Sequence, residues 1–305
     1  MIGIFDSGYG GLTILREITK QLPQYDYAYF GDNANAPYGE KEPEEIYELT
    51  KKGVEFLFSR GCNLVILACN TASAVALRRL QQEWLPNKYP DKKVLGIIVS
   101  TIEQITGVPW SFSSPYEGEV DSPLANLEGS SPPVVAILAT PATVKSGAYE
   151  HEVHKRNPNI KVVQQACPKL VPLIESAAPE GVLVKELSHC LSSLRGMRLK
   201  PHAEAISSSG TPSALLLGCT HYALISHLVK PMLKPGTQLL QQPGIVASSL
   251  KQYLKRHPDI VKKLAHTGTT SFYTSGPTDS VSRTAQTFFG KPISFRGVDK
   301  PDKKS

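Results

Sequence analysis

Apolar residues along this chain alternate between two patterns. Short unbroken runs, MIGIF, YDYAYFGD, CNLVILAC and KKVLGIIVS, read as strands buried on both faces. Between them stand GGLTILREITKQL, EPEEIYELTKKGVEFLFSR and TASAVALRRLQQEWL, whose apolar positions recur at helical spacing. The same grammar resumes at PPVVAILAT and continues through NIKVVQQAC to SALLLGC. Such alternation predicts an α/β fold of two similar doubly wound, mostly parallel-sheet domains, with the site in the cleft between them. QQPGIVASSLKQYL and SFYTSGPTDSVSRTAQTFFG follow, reading as a helix, then a strand and a closing helix that return to complete the first domain. The predicted division is residues 1–100 plus 242–305 for the first domain and 101–241 for the second. Pro-, Ser- and Gly-rich stretches at 106–133 and 200–213 carry no period and read as a long loop and an irregular insertion. The tail DKPDKKS reads as a frayed end.

Composition narrows the function classes. A chain of 305 residues can bury a large core and suits two domains. Its 41% hydrophobic and 20% charged content is that of an ordinary globular protein. A formal charge of +6 with 33 basic residues spread along the chain makes no nucleic-acid stripe. No segment has the length and apolarity of a membrane span, and no signal core follows the start, so a cytoplasmic protein is expected. Five widely spaced cysteines then imply reduced thiols, and the absence of a CxxC pair argues against a structural metal.

Two of these cysteines stand in matching contexts. ILACNTAS and LLLGCTHY each place a thiol, Cys69 and Cys219, just after an apolar run and before small hydroxyl or amide residues. Open α/β sheets build their sites at strand carboxyl ends, so the repeat suggests one site assembled from two halves. Two thiols facing across a cleft can invert a carbon stereocentre: a thiolate removes the proton from one face and a thiol returns one to the other. An unperturbed thiol is a few per cent ionised at neutral pH, so each needs help from a helix N-terminus or an acid–base neighbour. Asp6, in GIFDSGYGG, is the candidate helper for Cys69, and His221 the candidate for Cys219. Taken singly, each residue has a plainer reading. Asp6 suits a helix cap or a turn, His221 a satisfied core histidine, and either cysteine an inert buried thiol.

The blocks GIFDSGYGGLTIL, YFGDNANAPYG, ILACNTASA, KSGAYE, QQACPKLVPLIE, LLLGCTHY and FYTSG occur in one order from residue 2 to about residue 290. Together they resemble the aspartate/glutamate racemase superfamily, and glutamate racemases in particular. The resemblance implies cofactor-independent, metal-free interconversion of L- and D-glutamate in a bacterial cytoplasm, supplying D-glutamate for peptidoglycan. It implies that Cys69 acts on D-glutamate and Cys219 on L-glutamate, with Asp6, His221 and Glu175 as auxiliary acid–base groups. It also implies that Asp6, Ser7, Pro37, Tyr38, Gly39, Asn70, Thr71, Thr140, Thr143, Thr220 and His221 bind the amino acid. The partner expected is the small-molecule substrate, with no nucleic acid and no membrane; relatives are often homodimers. Donor side chains and loop N–H groups suit two carboxylates. Two positions depart from the family pattern: Ala223 stands where proline is common, and Tyr9 where a small aliphatic residue is usual.

Other enzyme classes fit less well. DSGYGGL begins like a dinucleotide-binding turn, with Asp32 as ribose ligand, but Thr13 stands where a third glycine is required. The presence of both cysteines argues against single-thiol decarboxylation. A racemase for another amino acid, such as aspartate, and a binding protein with structural cysteines are the remaining alternatives.

Overall fold

The computed structural model describes residues 1–108, 133–196 and 212–298. Most of the 106–133 loop and 200–213 insertion expected from sequence, and nearly all of the tail, lie outside the described residues. Ten strands form two sheets among the described residues: β1 (Ile2–Asp6), β2 (Tyr27–Gly31), β3 (Leu64–Leu67), β4 (Lys93–Gly96), β5 (Val134–Ala139), β6 (Lys161–Ala166), β7 (Ala214–Leu217), β8 (Gln238–Gln241), β9 (Thr270–Thr274) and β10 (Arg296–Gly297). The first sheet runs β10-β9-β2-β1-β3-β4 and the second β6-β5-β7-β8. All the pairings described are parallel. β1, β2, β3 and β7 are buried at every position, as strands covered by helices on both faces must be.

The order β2-β1-β3-β4 in one sheet and β6-β5-β7-β8 in the other is the same order twice. β9 and β10, from the C-terminal part of the chain, extend the first sheet beyond β2. Three apolar clusters layer these sheets. The largest joins them: it runs from Ile2 and Ile4 through the helix Gly11–Gln21 and the helix Gln242–Arg256 to Leu138, Leu215 and Leu217. The other two cover the outer faces, one against Phe5, Val65 and Leu67 and the other against Val135, Ile137 and Leu216.

Local pattern and observed element diverge in three places. KKVLGIIVS reads as one strand, but the strand ends at Gly96 and a helix, Ile97–Thr106, begins at once. Its buried residues Ile97, Ile98, Thr101, Ile102 and Ile105 recur at helical spacing, so packing overrides the β-branched preference. TASAVALRRLQQEWL is helical but broken, with a wider π turn over Leu80–Trp84. The expectation of five reduced thiols is also corrected, because Cys167 and Cys190 are joined, their Cα atoms 6.1 Å apart. Cys167 directly follows β6 and Cys190 lies on the helix Glu180–Gly196, so packing makes a proximity that spacing does not announce.

The helix Pro43–Ser59 lies against β1 at Gly53. A Cβ there would fall within the Phe5 ring and 3.1 Å from Phe30 Cε1. Gly53→Ala is therefore expected to destabilise the fold by about 1–3 kcal/mol, because a packed aromatic must move. A lowered urea midpoint at unchanged slope would register this. An unchanged midpoint would mean that Phe5 has room to turn aside.

Candidate active site

Four strands deliver the polar residues that meet in one place. Asp6 ends β1, Cys69 follows β3, Thr140 follows β5 and Cys219 follows β7. β1 with β3, and β5 with β7, are the neighbours at which each sheet's winding reverses, the usual location for ligand sites in open α/β sheets. Between them lies a cavity of about 40 Å³. The first sheet contributes Ser7, Pro37, Tyr38, Gly39, Cys69, Asn70 and Thr71 to its wall. Thr140, Cys219, Thr220 and His221 come from the second. Both thiols therefore line the same cavity. A larger cavity of about 840 Å³, beside Arg78 and Glu152, contains no cysteine on its wall.

Cys69 is the N-cap of the helix Asn70–Val75, and its sulfur accepts from the Ala72 N–H at 3.4 Å. Ser7 Oγ lies 3.4 Å from the same sulfur. These contacts favour the thiolate, yet burial, followed by the nearby Asp6 charge, pushes the Cys69 thiol up to about 12. In this arrangement Cys69 holds its proton.

Cys219 has a different neighbourhood. Its sulfur lies 3.8 Å from His221 Nδ1, and His221 Nε2 lies 2.8 Å from Glu175 Oε1. Burial disfavours the imidazolium, but the hydrogen bonds to Cys219 and Glu175 outweigh it and raise His221 to about 10. A protonated His221 thus stands between a sulfur and a carboxylate. Phe288 sets its edge against the imidazole, with ring centroids 5.2 Å apart, and Tyr9 stacks on Phe288.

Asp6 stands behind the wall, 1% exposed. One carboxylate oxygen accepts from the Gly8 N–H at 3.2 Å, while the other, Oδ1, is buried with no hydrogen-bond partner among the described residues. Burial raises its pKa to about 6, against the lowering influence of His221 and of the Gly8 and Gly11 backbone. The following helix begins at Gly11, whose backbone also bears on the carboxylate. It is a turn residue with an unmet oxygen, available to a cation.

The hydroxyls form a cluster across the two halves. Thr71 Oγ1 lies 3.0 Å from Thr140 Oγ1, which lies 2.9 Å from Thr143 Oγ1. Thr140 also caps the helix Pro141–Ser146. Thr143 and Glu175, like Asp6, are not on the cavity wall; they touch residues that are. Tyr38 lines the wall while its hydroxyl donates to Asp32 at 2.6 Å. Sequence reasoning missed Cys167, Pro168, Val171 and Pro172, which also line the cavity. Their signal was present in the block QQACPKLVPLIE, where Glu175 drew attention instead. Among the described residues no group of three or more His, Cys, Asp or Glu side chains could hold a metal ion.

No family model matches the chain. A glutamate racemase from Phenylobacterium zucineum is 40% identical over 298 residues, spanning 96% of this chain and 98% of its own. The crystal structure of a glutamate racemase isoform from Bacillus anthracis superposes with a TM-score of 0.77 at 27% identity, covering 99% of this chain and 98% of that one. A glutamate racemase from Francisella tularensis, solved with D-glutamate, gives 0.75 at 26%, covering 98% and 97%. The fold and these relatives thus define an isomerase of the amino-acid racemase class. The chain belongs to the glutamate racemase family.

The buried Asp6 carboxylate makes a prediction about stability. Its folded pKa, about 6, lies above the ordinary 3.8, so the folded state binds the proton more tightly than the unfolded one. Its contribution is greatest below pH 3.8 and is lost as pH rises through 6. The loss amounts to about 3 kcal/mol. Between pH 4 and pH 8, Asp6→Asn should therefore gain stability relative to the parent, measured as the difference in urea unfolding. An equal difference at both pH values would remove Asp6 as the source.

Proposed function

We propose that the chain interconverts L- and D-glutamate by a two-base mechanism with Cys69 and Cys219 as the bases. The observation that carries this is the shared cavity: each half of a duplicated strand order delivers one free thiol to it. Carboxylates of the substrate would be held by Ser7, Asn70, Thr71, Thr140, Thr143, Thr220 and nearby backbone N–H groups, against a wall of Pro37, Tyr38 and Gly39. The unmet oxygen of Asp6 would balance the ammonium. As the α-proton leaves, charge develops toward the α-carboxylate, where fixed donors are worth most.

The resting protonation pattern favours one direction. Cys69 holds a proton, and the His221 imidazolium lies 3.8 Å from the Cys219 sulfur. Cys219 takes the α-proton of L-glutamate and becomes a thiol; Cys69 gives its proton to the opposite face and becomes a thiolate. The product is D-glutamate, and the reverse reaction begins from the state so formed. Glu175 holds the imidazole ring in place throughout.

A cavity of about 40 Å³ holds about one water, far less than a five-carbon amino diacid. The walls therefore part to admit substrate and close over it, excluding water during proton transfer. Residues 1–100 with 242–305 and residues 101–241 are the two domains we propose to move. Among the described residues no helix is long and apolar enough to cross a membrane. We place the activity in a bacterial cytoplasm, supplying D-glutamate for peptidoglycan, with the homodimers frequent in the family as the assembly.

In deuterated buffer both enantiomers should exchange the α-proton and approach a racemic mixture. Cys69→Ser and Cys219→Ser should each lower racemisation at least about a thousandfold. Cys69→Ser should still exchange L-glutamate, and Cys219→Ser D-glutamate. No exchange and no change in optical rotation with the parent would sink the proposal. The pH profile of kcat/KM should fall on the acid side near pH 6, where Asp6 protonates, and on the basic side near pH 10, where His221 loses its proton. Asp6→Asn should remove the acid limb and His221→Asn should displace the basic one. Limbs unmoved by either change would reassign both groups.

A further inference from the structure

Behind Asn70, away from the thiols, lies a buried polar cluster built from four separate segments. Gln242 opens the helix Gln242–Arg256 and is 1% exposed; Asn70, Thr101 and Tyr149 are equally buried. The Gln242 Nε2 stands 3.0 Å from each of Asn70 Oδ1, Thr101 Oγ1 and Tyr149 Oη. In return, Asn70 Nδ2 donates to Gln242 Oε1 at 2.6 Å. The two carboxamides thus form a reciprocal ring. Tyr149 adds a third bond, its hydroxyl donating to Asn70 Oδ1 at 2.7 Å.

A carboxamide is nearly symmetrical in shape, so its orientation is decided by the polarity of its partners. Here one backbone carbonyl sets that polarity. The Thr101 hydroxyl has a single hydrogen, and it goes to the Ile97 carbonyl at 2.8 Å, one helical turn back. Toward Gln242, Thr101 is therefore an acceptor, and the group facing it is the Gln242 NH₂. The Gln242 oxygen consequently faces Asn70 and takes one of its NH₂ hydrogens. Both lone pairs of Asn70 Oδ1 are engaged by Tyr149 and Gln242. What the ring leaves to the cavity that Asn70 lines is the second N–H of its amide, a donor beside Cys69.

We infer that Gln242, oriented by Thr101, is a positioning residue for racemisation: it fixes the Asn70 amide so that its remaining N–H meets a substrate carboxylate next to Cys69. The inference rests on the proposed racemase reading for its substrate, but the orientation itself does not. Without the relay the Asn70 amide could turn and present its oxygen to an anion, replacing a donor by a repulsive acceptor. Gln242 never touches substrate, so its effect must pass through Asn70.

A double-mutant cycle tests this in the full chain. Gln242→Met keeps length and removes the polarity; it should lower kcat/KM about tenfold to a hundredfold in both directions. In an Asn70→Ala background the same change should cost less than about twofold, since there is no amide left to orient. Thr101→Val, which deletes the acceptor, should also reduce activity, and Thr101→Ser should recover most of it; these two carry the test if Gln242→Met fails to fold. The second readout is the pair of Asn70 side-chain amide signals in a ¹H–¹⁵N spectrum, assigned by their loss in Asn70→Ala. They should shift in Gln242→Met and Thr101→Val. Full multiplicative losses in the double mutant, or Asn70 signals that do not move, would overturn the inference. A parent protein that shows no racemisation would instead defeat the racemase reading, while the amide signals still decide the orientation.

Discussion

The site depends on one close approach. The turn after β1 runs against the segment that carries the second thiol, and Gly10 makes this possible. A Cβ at that position would collide with Thr220 Oγ1 and stand 2.5 Å from His221 Nδ1. The contact is sealed by Thr13, whose hydroxyl meets the carbonyls of Gly10 at 2.8 Å and Thr220 at 3.2 Å. A single turn therefore serves both sides of the site: Ser7 beside Cys69, Gly10 beneath His221, and Asp6 close enough for its charge to bear on Cys69 and His221. The continuous core through the helices Gly11–Gln21 and Gln242–Arg256 holds that turn where it is.

Duplication of the strand order makes the two thiols topologically equivalent, but their surroundings are not. Cys69 is stabilised by a hydroxyl and a backbone N–H, both weaker than a full charge, and burial prevails. Cys219 has an imidazolium tied to a carboxylate. A symmetrical pair of proton carriers would leave both sulfurs in one protonation state. Unequal neighbours give the two sulfurs the different surroundings that the proposed transfer across a stereocentre would use.

Much of this was legible in the chain because it is local. The apolar runs that end at Cys69 and Cys219 place each thiol at a strand terminus, and DSG, CNT and CTHY set their immediate neighbours. The alternation of strand and helix gives parallel sheets. What sequence does not carry is long range. β8 and β10 are too short and too exposed to show a pattern. Helix formation at Ile97, in a run of β-branched residues, is decided by its partners. Cys167 meets Cys190, and Gln242 meets Asn70, through contacts that no spacing encodes. Of the two, the second bears on the proposed chemistry, since an undistinguished glutamine at a helix start sets how the amide of the cavity-lining Asn70 is turned.

One of the bonds between the two halves runs hydroxyl to hydroxyl beside the cavity. Thr71 and Thr140 belong to opposite halves and meet at 3.0 Å, while Gly39 admits Thr140 so closely that a Cβ would lie 2.9 Å from it. Such a neutral hydrogen bond is worth about 1 kcal/mol net, so this contact by itself adds little to hold the halves together. Separation on the opposite side, where the shared apolar core lies, would expose buried leucines and isoleucines and cost more. The proposed opening would therefore lie on the face on which the threonines meet. On the proposed reading, the carboxylates of an entering amino acid would accept from the same hydroxyls that had bonded one another. In the proposed reaction, substrate would replace the closing contact with charge-assisted bonds, which are stronger, and so favour the closed state with the reacting carbon inside.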